Sequence, residues 1–172
     1  HGAVFQVGEY IICGKNGVCR VERIFNRANG SCRQPTAYYQ LAAVFETGDE
    51  KIFLPVENSA VQLRRVITGE EAAHYLEQLP GMHPQPVYSH RQAPLVEHYQ
   101  QLSDSASPDK MLYLLKECYL KQEQAREHKK KLGLVDQRYL RLAERLVYGE
   151  FSVALGVPVE QVKEDVMKRI FS

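Results

Sequence analysis

The sequence predicts an α+β chain of two domains, a small antiparallel β-barrel followed by an all-α helical bundle. Short segments rich in Val, Ile, Tyr and Phe, separated by turn sequences, fill the first third of the chain. Beyond them, apolar residues recur at helical spacing. Pro80, Pro84 and Pro86 lie between the two patterns, and because proline cannot continue a helix interior, we expect a joint there. The predicted divisions are 1–68 for the barrel, 69–87 for a short helix and the proline-rich joint, and 88–172 for the helical domain.

Four or five short strands are predicted in the first domain, and residues that favour turns, mainly Gly, Asn and Asp, separate them. No helical pattern lies between them, so they should pair as hairpins and form a small antiparallel barrel. The predicted strands are 9–13, 18–25, 36–45 and 51–56, with turns at 14–17, 29–31 and 47–49. Two sets of residues are expected to share one face of a strand: Tyr39, Leu41, Ala43 and Phe45 in 36–45, and Ile52, Leu54 and Val56 in 51–56.

Local signals set the expected helix ends. Thr68 and Glu71 fit a capping box that starts a short helix reaching about Leu79. A second helix should contain Leu95, Val96, Tyr99 and Leu102.

Three more helices should follow. Ser107 before Pro108 favours the start of a long helix to about Lys131, stopped by Gly133. Asp136 is expected to cap the next helix, Gly156 to end it, and Pro158 to open the last.

Composition places the chain among ordinary globular proteins. About 44% of its 172 residues are hydrophobic and 25% are charged, which excludes a wholly disordered chain, a collagen and a coiled-coil rod. No apolar run is long enough to cross a bilayer. Gln6, Glu9 and Lys15 interrupt the first apolar stretch, so no secretory signal is expected, and residues 1–3 look like a cloning remnant. The net charge is +1, but positive charge gathers in the predicted long helix and the residues after it.

Common enzyme and metal motifs are missing from the sequence, so we expect neither catalysis nor a cofactor nor a metal. It has no phosphate-binding glycine loop, no dinucleotide fingerprint, no zinc-protease helix and no nucleophile elbow. The histidines considered for a metal site, His83, His90 and His98, straddle the proline-rich segment and lack a Cys or carboxylate at ligand spacing. The four cysteines are expected to be reduced and buried: Cys13, Cys19, Cys32 and Cys118.

Several short motifs follow one another in a fixed order along the chain. In the first half they are residues 5–12, 17–18, 21–24, 38–40, 52–58 and 63–66. In the second half, an aromatic residue and an Arg follow the proline-rich segment, then come a long basic helix, a Gly-Leu loop and a final helix opened by Pro. In this order and spacing the motifs resemble the CarD/CdnL family of bacterial transcription regulators, whose first domain is shared with the RNA-polymerase-interacting domain of the transcription-repair coupling factor.

The resemblance implies a two-part regulator. A Tudor-like barrel would dock on the lobe (protrusion) of the RNA polymerase β subunit. The helical domain would contact promoter DNA, largely independently of sequence, at the upstream edge of the bubble and stabilise the open complex. Such a protein would be cytoplasmic and nucleoid-associated, and a monomer, with a strand-swapped dimer as the alternative.

The resemblance also suggests site residues. The polymerase-binding set is Phe25, Asn26, Arg27 and Phe53. The DNA-binding set is Tyr88, His90, Arg91, Arg126, Lys129 and Lys130, with Lys121 and Arg138 near the same basic run. Tyr88 stands where the family has a Trp wedge, and the chain contains no Trp. Two alternatives stay open: an adaptor that binds polymerase or another regulator without touching DNA, and an enzyme or metal protein that uses the Cys and His residues.

Overall fold

A computed structural model describes residues 4–29, 32–45, 50–57 and 60–172. The chain divides into two compact units, His1–Val66 and Ile67–Ser172. The turns expected at 29–31 and 47–49 fall wholly or mainly outside the described residues, as do Asn58 and the Cys32 side chain. The two-unit α+β architecture predicted from the sequence is confirmed: an antiparallel sheet comes first and five α-helices follow.

The first unit is a five-stranded antiparallel sheet in the order β4-β3-β2-β1-β5. Its strands are β1 Tyr10–Cys13, β2 Val18–Asn29, β3 Cys32–Ala43, β4 Lys51–Pro55 and β5 Leu63–Arg65. Strands β2 and β3 extend well beyond the predicted 18–25 and 36–45 boundaries at their shared end. The extension is polar, and the apolar pattern therefore misses it, whereas backbone pairing between two strands needs no apolar side chain.

One face of this sheet carries the core of the first unit. The buried members are Phe5, Ile11, Cys13, Cys19, Val21, Tyr39 and Leu41. The backbone N–H of Phe5 donates to the Tyr39 hydroxyl at 2.9 Å, which satisfies that buried group. The face predicted to be shared by Ile52, Leu54 and Val56 is confirmed, and it packs on this core. Phe45 was predicted to share a strand face with Tyr39 and Leu41, but β3 ends at Ala43 and Phe45 is 41% exposed.

The second unit consists of α1 Gly69–Gln78, α2 Gln92–Ser103, α3 Pro108–Glu127, α4 Leu134–Leu155 and α5 Val159–Phe171. The predicted capping box is confirmed at both of its bonds: Glu71 N–H donates to Thr68 Oγ1 at 3.1 Å, and Thr68 N–H to Glu71 Oε1 at 2.9 Å. Gly156 ends α4 in the left-handed region at φ 68°, which glycine adopts without a steric penalty.

The connection between α3 and α4 corrects three expectations. Helix α3 ends at Glu127 rather than near Lys131, and Lys129 has a positive φ of 53°. Gly133, not Asp136, is the N-cap of α4. Asp136 lies within the first turn of that helix and points inward, 3.0 Å from Lys121 Nζ. Lys121 is only 2% exposed and so is not part of the surface charge.

Residues 79–88, which we call the strap, lie along α3 and form hydrogen bonds with side chains of that helix. Lys116 Nζ donates to the carbonyls of Leu79 at 2.8 Å, Pro80 at 3.3 Å and Met82 at 2.7 Å. The Tyr113 hydroxyl accepts from Gln85 N–H at 3.2 Å, and the Glu117 carboxylate accepts from Val87 N–H at 3.1 Å. Most of the segment predicted as a joint therefore packs within the second unit. The DNA-contacting role of 88–172 stays a prediction.

Candidate functional site

The face of the first sheet opposite its core carries a cluster of arginines and aromatic rings. Strand pairing places Arg23 opposite Gln40, Gln40 opposite Phe53, and Phe25 opposite Tyr38. Directly opposed residues point to the same side of a sheet, and so do residues two apart on one strand. We define the arginine–aromatic face by its five members on β2, β3 and β4: Arg23, Phe25, Arg27, Tyr38 and Phe53.

These five side chains touch one another in a continuous row. The centre of the Phe25 ring lies 6.1 Å from the centre of the Tyr38 ring and 6.0 Å from that of the Phe53 ring, which it meets edge-on. The guanidinium of Arg23 lies 4.3 Å from the Phe25 ring centre, and that of Arg27 lies 4.3 Å from the Tyr38 ring centre. A guanidinium stacked on a ring keeps its N–H edge free to meet a carboxylate. The face therefore combines apolar area with oriented donors, which are features common at protein interfaces.

Beside this row lies a small polar network. Gln40 receives a hydrogen bond from Arg23 Nε at 2.7 Å and donates to Glu22 at 2.9 Å. Lys51 Nζ donates to the other Glu22 oxygen at 3.1 Å. Two hydrogen bonds hold the pKa of Glu22 below its usual range: the one from Gln40 has the larger effect and the one from Lys51 the smaller. This network fixes the orientation of Arg23 at one end of the face.

Three of the four residues expected to bind polymerase lie together on this face: Phe25, Arg27 and Phe53. Asn26 does not, because it pairs with Ala37 and points to the other side of β2. Sequence reasoning missed Arg23 and Tyr38. The spacing of Arg23, Phe25 and Arg27 at every second position was a usable signal, but the partnership with Tyr38 needs the strand register.

In the second unit, Tyr88 lies at the end of the strap, and 62% of the residue is exposed. Its hydroxyl donates to the Gln124 side chain on α3. Lys121 Nζ lies 4.8 Å from the ring centre. Burial of the hydroxyl, with added effects of the Asp136 and Glu117 charges, raises the pKa of Tyr88. The aromatic ring is therefore held in place from α3 while most of its surface faces solvent.

Two cavities lie on either side of the connection between α3 and α4. The first, of about 380 Å³, is lined by Tyr88, Lys121, Gln124, Ala125, His128, Lys130, Lys131, Leu132, Gly133 and Asp136. The second, of about 540 Å³, is lined by Gln122, Arg126, Lys129, Lys130, Lys131, Leu132, Gln137, Leu140, Arg141 and Glu144. We call them the tyrosine cavity and the basic cavity. They share Lys130, Lys131 and Leu132.

The structure brings most of the predicted DNA-binding residues to these cavities. Tyr88 and Lys130 line the first, while Arg126, Lys129 and Lys130 line the second. His90 and Arg91 are exposed just before α2, outside both linings. The Arg91 N–H donates to the Ser89 hydroxyl at 3.1 Å, which orders that short approach to the helix.

A buried polar network supports the tyrosine cavity. Asp136 accepts from Tyr99 hydroxyl at 2.5 Å as well as from Lys121. Glu117, with no exposed area, meets His98 Nε2 at 2.9 Å and lies 4.0 Å from Lys121. Charges removed from water need such partners. The network thereby holds the lysine that lies over the Tyr88 ring.

The described cysteines are buried. Burial raises the pKa of the Cys118 thiol to about 12, so this group is protonated at neutral pH and unsuited to nucleophilic chemistry. In the first unit, a hydrogen bond with Cys19 lowers the pKa of Cys13, yet both thiols have no exposed surface. Among residues 4–29, 32–45, 50–57 and 60–172, no group of three His, Cys, Asp or Glu side chains is placed to hold a metal ion.

Residues 5–67 match the family model described as the CarD-like/TRCF RID domain. The match spans all five strands, so the first unit is a CarD-like RNA-polymerase-interacting domain, as the N-terminal motifs predicted. It supports an interaction with RNA polymerase and a role in transcription. A search of curated proteins finds no match to the chain. In the part of the chain that the structure describes, no helix is both long and apolar enough to span a membrane.

Proposed function

We propose that this chain, whose first unit is a CarD-like RNA-polymerase-interacting domain, is a non-enzymatic transcription regulator with two contacts. The first unit docks on the lobe of the RNA polymerase β subunit. The helical unit contacts promoter DNA at the upstream edge of the bubble and stabilises the open complex. The protein then works in the cytoplasm, associated with the nucleoid, and as a monomer, which sedimentation would distinguish from a strand-swapped dimer.

The observation that carries this proposal is the family match over residues 5–67. The arginine–aromatic face gives the matched domain a surface suited to a protein partner. Phe53 is 42% exposed, so apolar area is available beside the Phe25 ring. Burying such area on association is favourable, and the stacked guanidinium groups add directed hydrogen bonds.

Replacing Arg27 with alanine is expected to weaken binding to an isolated β-lobe fragment by about tenfold, or about 1.4 kcal/mol. The change removes both the charge and the planar group that lies 4.3 Å from the Tyr38 ring. Arg27→Lys should recover part of the loss, because lysine keeps the charge but not the stacked plane. Calorimetric titration of the whole chain with the fragment measures the effect.

Asn26→Ala is the matched control for this experiment, because Asn26 is the neighbour of Arg27 on β2 but faces the other way. Its affinity should stay within about twofold of the unmodified chain, as expected for residues outside an interface hot spot. A loss of binding in Asn26→Ala together with normal binding in Arg27→Ala would place the docking surface on the opposite side of the sheet.

The contact with DNA is supported by the position of Tyr88 beside positive charge. An aromatic side chain at the minor groove can stabilise a distorted duplex, while cations nearby neutralise phosphates. Tethering through the polymerase raises the local concentration of the helical unit at the promoter, so weak affinity for free DNA is sufficient. The regulator acts only if it binds the open complex better than the closed one.

Tyr88→Ala is expected to shorten the half-life of open complexes several-fold at a promoter that the unmodified protein stabilises. Loss of the exposed ring removes the group that favours the open form, whereas the β-lobe contact is unchanged. Tyr88→Phe keeps the ring and should retain most of the stabilisation. Competitor-challenge assays of complex lifetime, with β-lobe titration of the same variants, measure the two effects separately.

The adaptor alternative has one observation in its favour. The Tyr88 hydroxyl is bonded to Gln124, as it would be for an aromatic residue that only secures the strap. In that case Tyr88→Ala would lower thermal stability but leave the open-complex lifetime unchanged, and polymerase binding would also persist. The same assays therefore decide between the two functions.

A further inference from the structure

The tyrosine cavity and the basic cavity form adjoining parts of one surface, because Lys130, Lys131 and Leu132 line both. One part offers an aromatic ring beside polar groups, and the other offers a concentration of cations. Duplex DNA presents its phosphates outside and its bases stacked within. An exposed ring next to a row of cations offers more contact to a single strand, whose unpaired bases can stack on the ring while its backbone lies in a positive groove.

The Tyr88 ring is built into its place as a fixed platform. Its hydroxyl is bonded to Gln124, Lys121 lies over the ring, and the preceding residue is tied to Glu117 through its N–H. With 62% of the residue exposed, ring surface remains for a further partner to stack on. Every base has a flat face, so such a platform accepts any of them.

The charge around the platform favours a backbone phosphate. Lys130 and Lys131 are exposed at the wall shared by the two cavities, and His128 lies on the tyrosine side. The one carboxylate in the lining of the tyrosine cavity, Asp136, is already paired with Lys121 at 3.0 Å. The free lysine charge at the rim is therefore not cancelled by the acid within the cavity.

The basic cavity continues the positive surface. It adds the charges of Arg126, Lys129 and Arg141, against the single carboxylate of Glu144. Glu144 is itself engaged, since it accepts from the Tyr119 hydroxyl at 2.5 Å and lies 3.9 Å from Lys163. Arg126 lies 3.6 Å from Glu123 in an exposed pair, which is weak in water and replaceable by a phosphate.

We propose that the helical unit binds single-stranded DNA, with an unpaired base stacked on Tyr88 and the adjoining phosphates held by Lys130 and Lys131 along the path into the basic cavity. This inference rests on the proposed function and names its DNA partner more closely: a strand displaced at the bubble, and not the duplex alone. It requires that the free chain prefer a single strand to a duplex of equal length.

The first test is fluorescence anisotropy of the full chain with a labelled 12-nucleotide oligo-dT and with a blunt duplex of the same length. We expect the single strand to bind several-fold more tightly, and Tyr88→Ala to weaken it about tenfold, as for the loss of one stacked base. Tyr88→Phe should restore most of the affinity. Equal binding of both DNAs, or single-strand affinity that does not depend on Tyr88, would overturn the proposal.

Salt dependence tests the lysines. In the double variant Lys130→Gln, Lys131→Gln, the slope of log affinity against log salt should fall by about 0.7 for each phosphate that a lysine no longer neutralises. The charge-matched control is Lys110→Gln, Lys168→Gln, on exposed positions of α3 and α5 that line neither cavity. An identical slope in both double variants would contradict the assigned phosphate contacts.

Three measurements separate misfolding and failure of the proposed function from failure of this inference. With the unmodified chain, an oligonucleotide carrying 2-aminopurine should show quenched fluorescence on binding, and unchanged fluorescence at every position would exclude stacking. The β-lobe titration and the open-complex lifetime are measured on the same proteins. Should the lifetime depend on Tyr88 while oligo-dT binding does not, the proposed function stands and the single-strand proposal is wrong.

Discussion

Replacing Asp136 with alanine is expected to lower the free energy of unfolding by about 3–5 kcal/mol. The change leaves the ammonium of Lys121, 2% exposed, without the carboxylate that lies 3.0 Å away. It also removes the acceptor of the Tyr99 hydroxyl. Glu117, 4.0 Å from Lys121, is already shared with His98 and Val87, so it compensates only in part.

Asp109 provides a matched control, since it is an acid in the first turn of α3 as Asp136 is in the first turn of α4, but exposed. Asp109→Ala should cost only about 0.3–1 kcal/mol through the helix dipole. Urea unfolding followed by circular dichroism measures both variants. A double variant that adds Lys121→Met should lose less than the sum of its parts, and strict additivity would show that the two residues do not interact.

Raising the pH above about 10 is expected to unfold the helical unit. Its stability should fall more steeply with pH than it would if the tyrosines were exposed. Burial is the main cause that raises the pKa of Tyr99, Tyr119 and Tyr148 above their usual range, and of Cys118 to about 12. In the unfolded chain tyrosines lose their protons near pH 10. The stability that they contribute is therefore complete below that pH and is lost as the pH rises further.

The expected slope follows from proton linkage. Above pH 10, each tyrosine that stays protonated only in the folded state lowers the free energy of unfolding by about 1.4 kcal/mol per pH unit. The three tyrosines together give a slope of about 4 kcal/mol per pH unit. Lys116 acts in the opposite direction. Burial disfavours its charged form and lowers its pKa, so losing the proton at high pH removes the cost of keeping that charge buried. One lysine against three tyrosines leaves the net sign unchanged.

Circular dichroism and tyrosinate absorbance, recorded together from pH 8 to 12, check this expectation. Part of the absorbance change should coincide with the loss of helix. In Tyr148→Phe, which lacks one of these hydroxyl groups, the transition should move to higher pH unless loss of the 2.6 Å contact with Tyr119 dominates neutral stability. Measuring unfolding at pH 7 separates these effects, and a smooth titration with no helix loss would contradict the prediction.

Local signals in the sequence were sufficient for several boundaries of the fold. The capping box of Thr68 and Glu71 acts through hydrogen bonds within one helical turn, and Gly156 acts through its own dihedral angles. Nearby residues in the sequence therefore determine the role of each. Asp136 was misassigned because its partner Lys121 lies 15 residues away on another helix. A cap and a buried ion pair present the same residue types in sequence, and only packing distinguishes them.

For the candidate sites too, the sequence identifies single residues, whereas their grouping depends on the fold. Arg27 and Phe53 could be chosen through the family resemblance, but their membership of one surface depends on the register of three strands. Asn26 was included because it adjoins Arg27 in sequence, although side chains of neighbouring strand residues point to opposite faces. Lys121 was counted with the surface lysines because a charge pattern gives no measure of depth.

The strap also affects the entropy of any association at Tyr88. Lys116 donates to backbone carbonyls of residues 79–87, and Tyr113 and Glu117 accept from backbone N–H groups there, so this segment is held when the chain folds. Gln124 then orients the Tyr88 side chain. Ordering one side chain on binding typically costs about 0.5–1.5 kcal/mol, and ordering a backbone segment costs more. Here that loss of freedom has already occurred in the unbound protein. The helical unit thus meets its partner preorganised, and contact energy at the ring is retained as affinity.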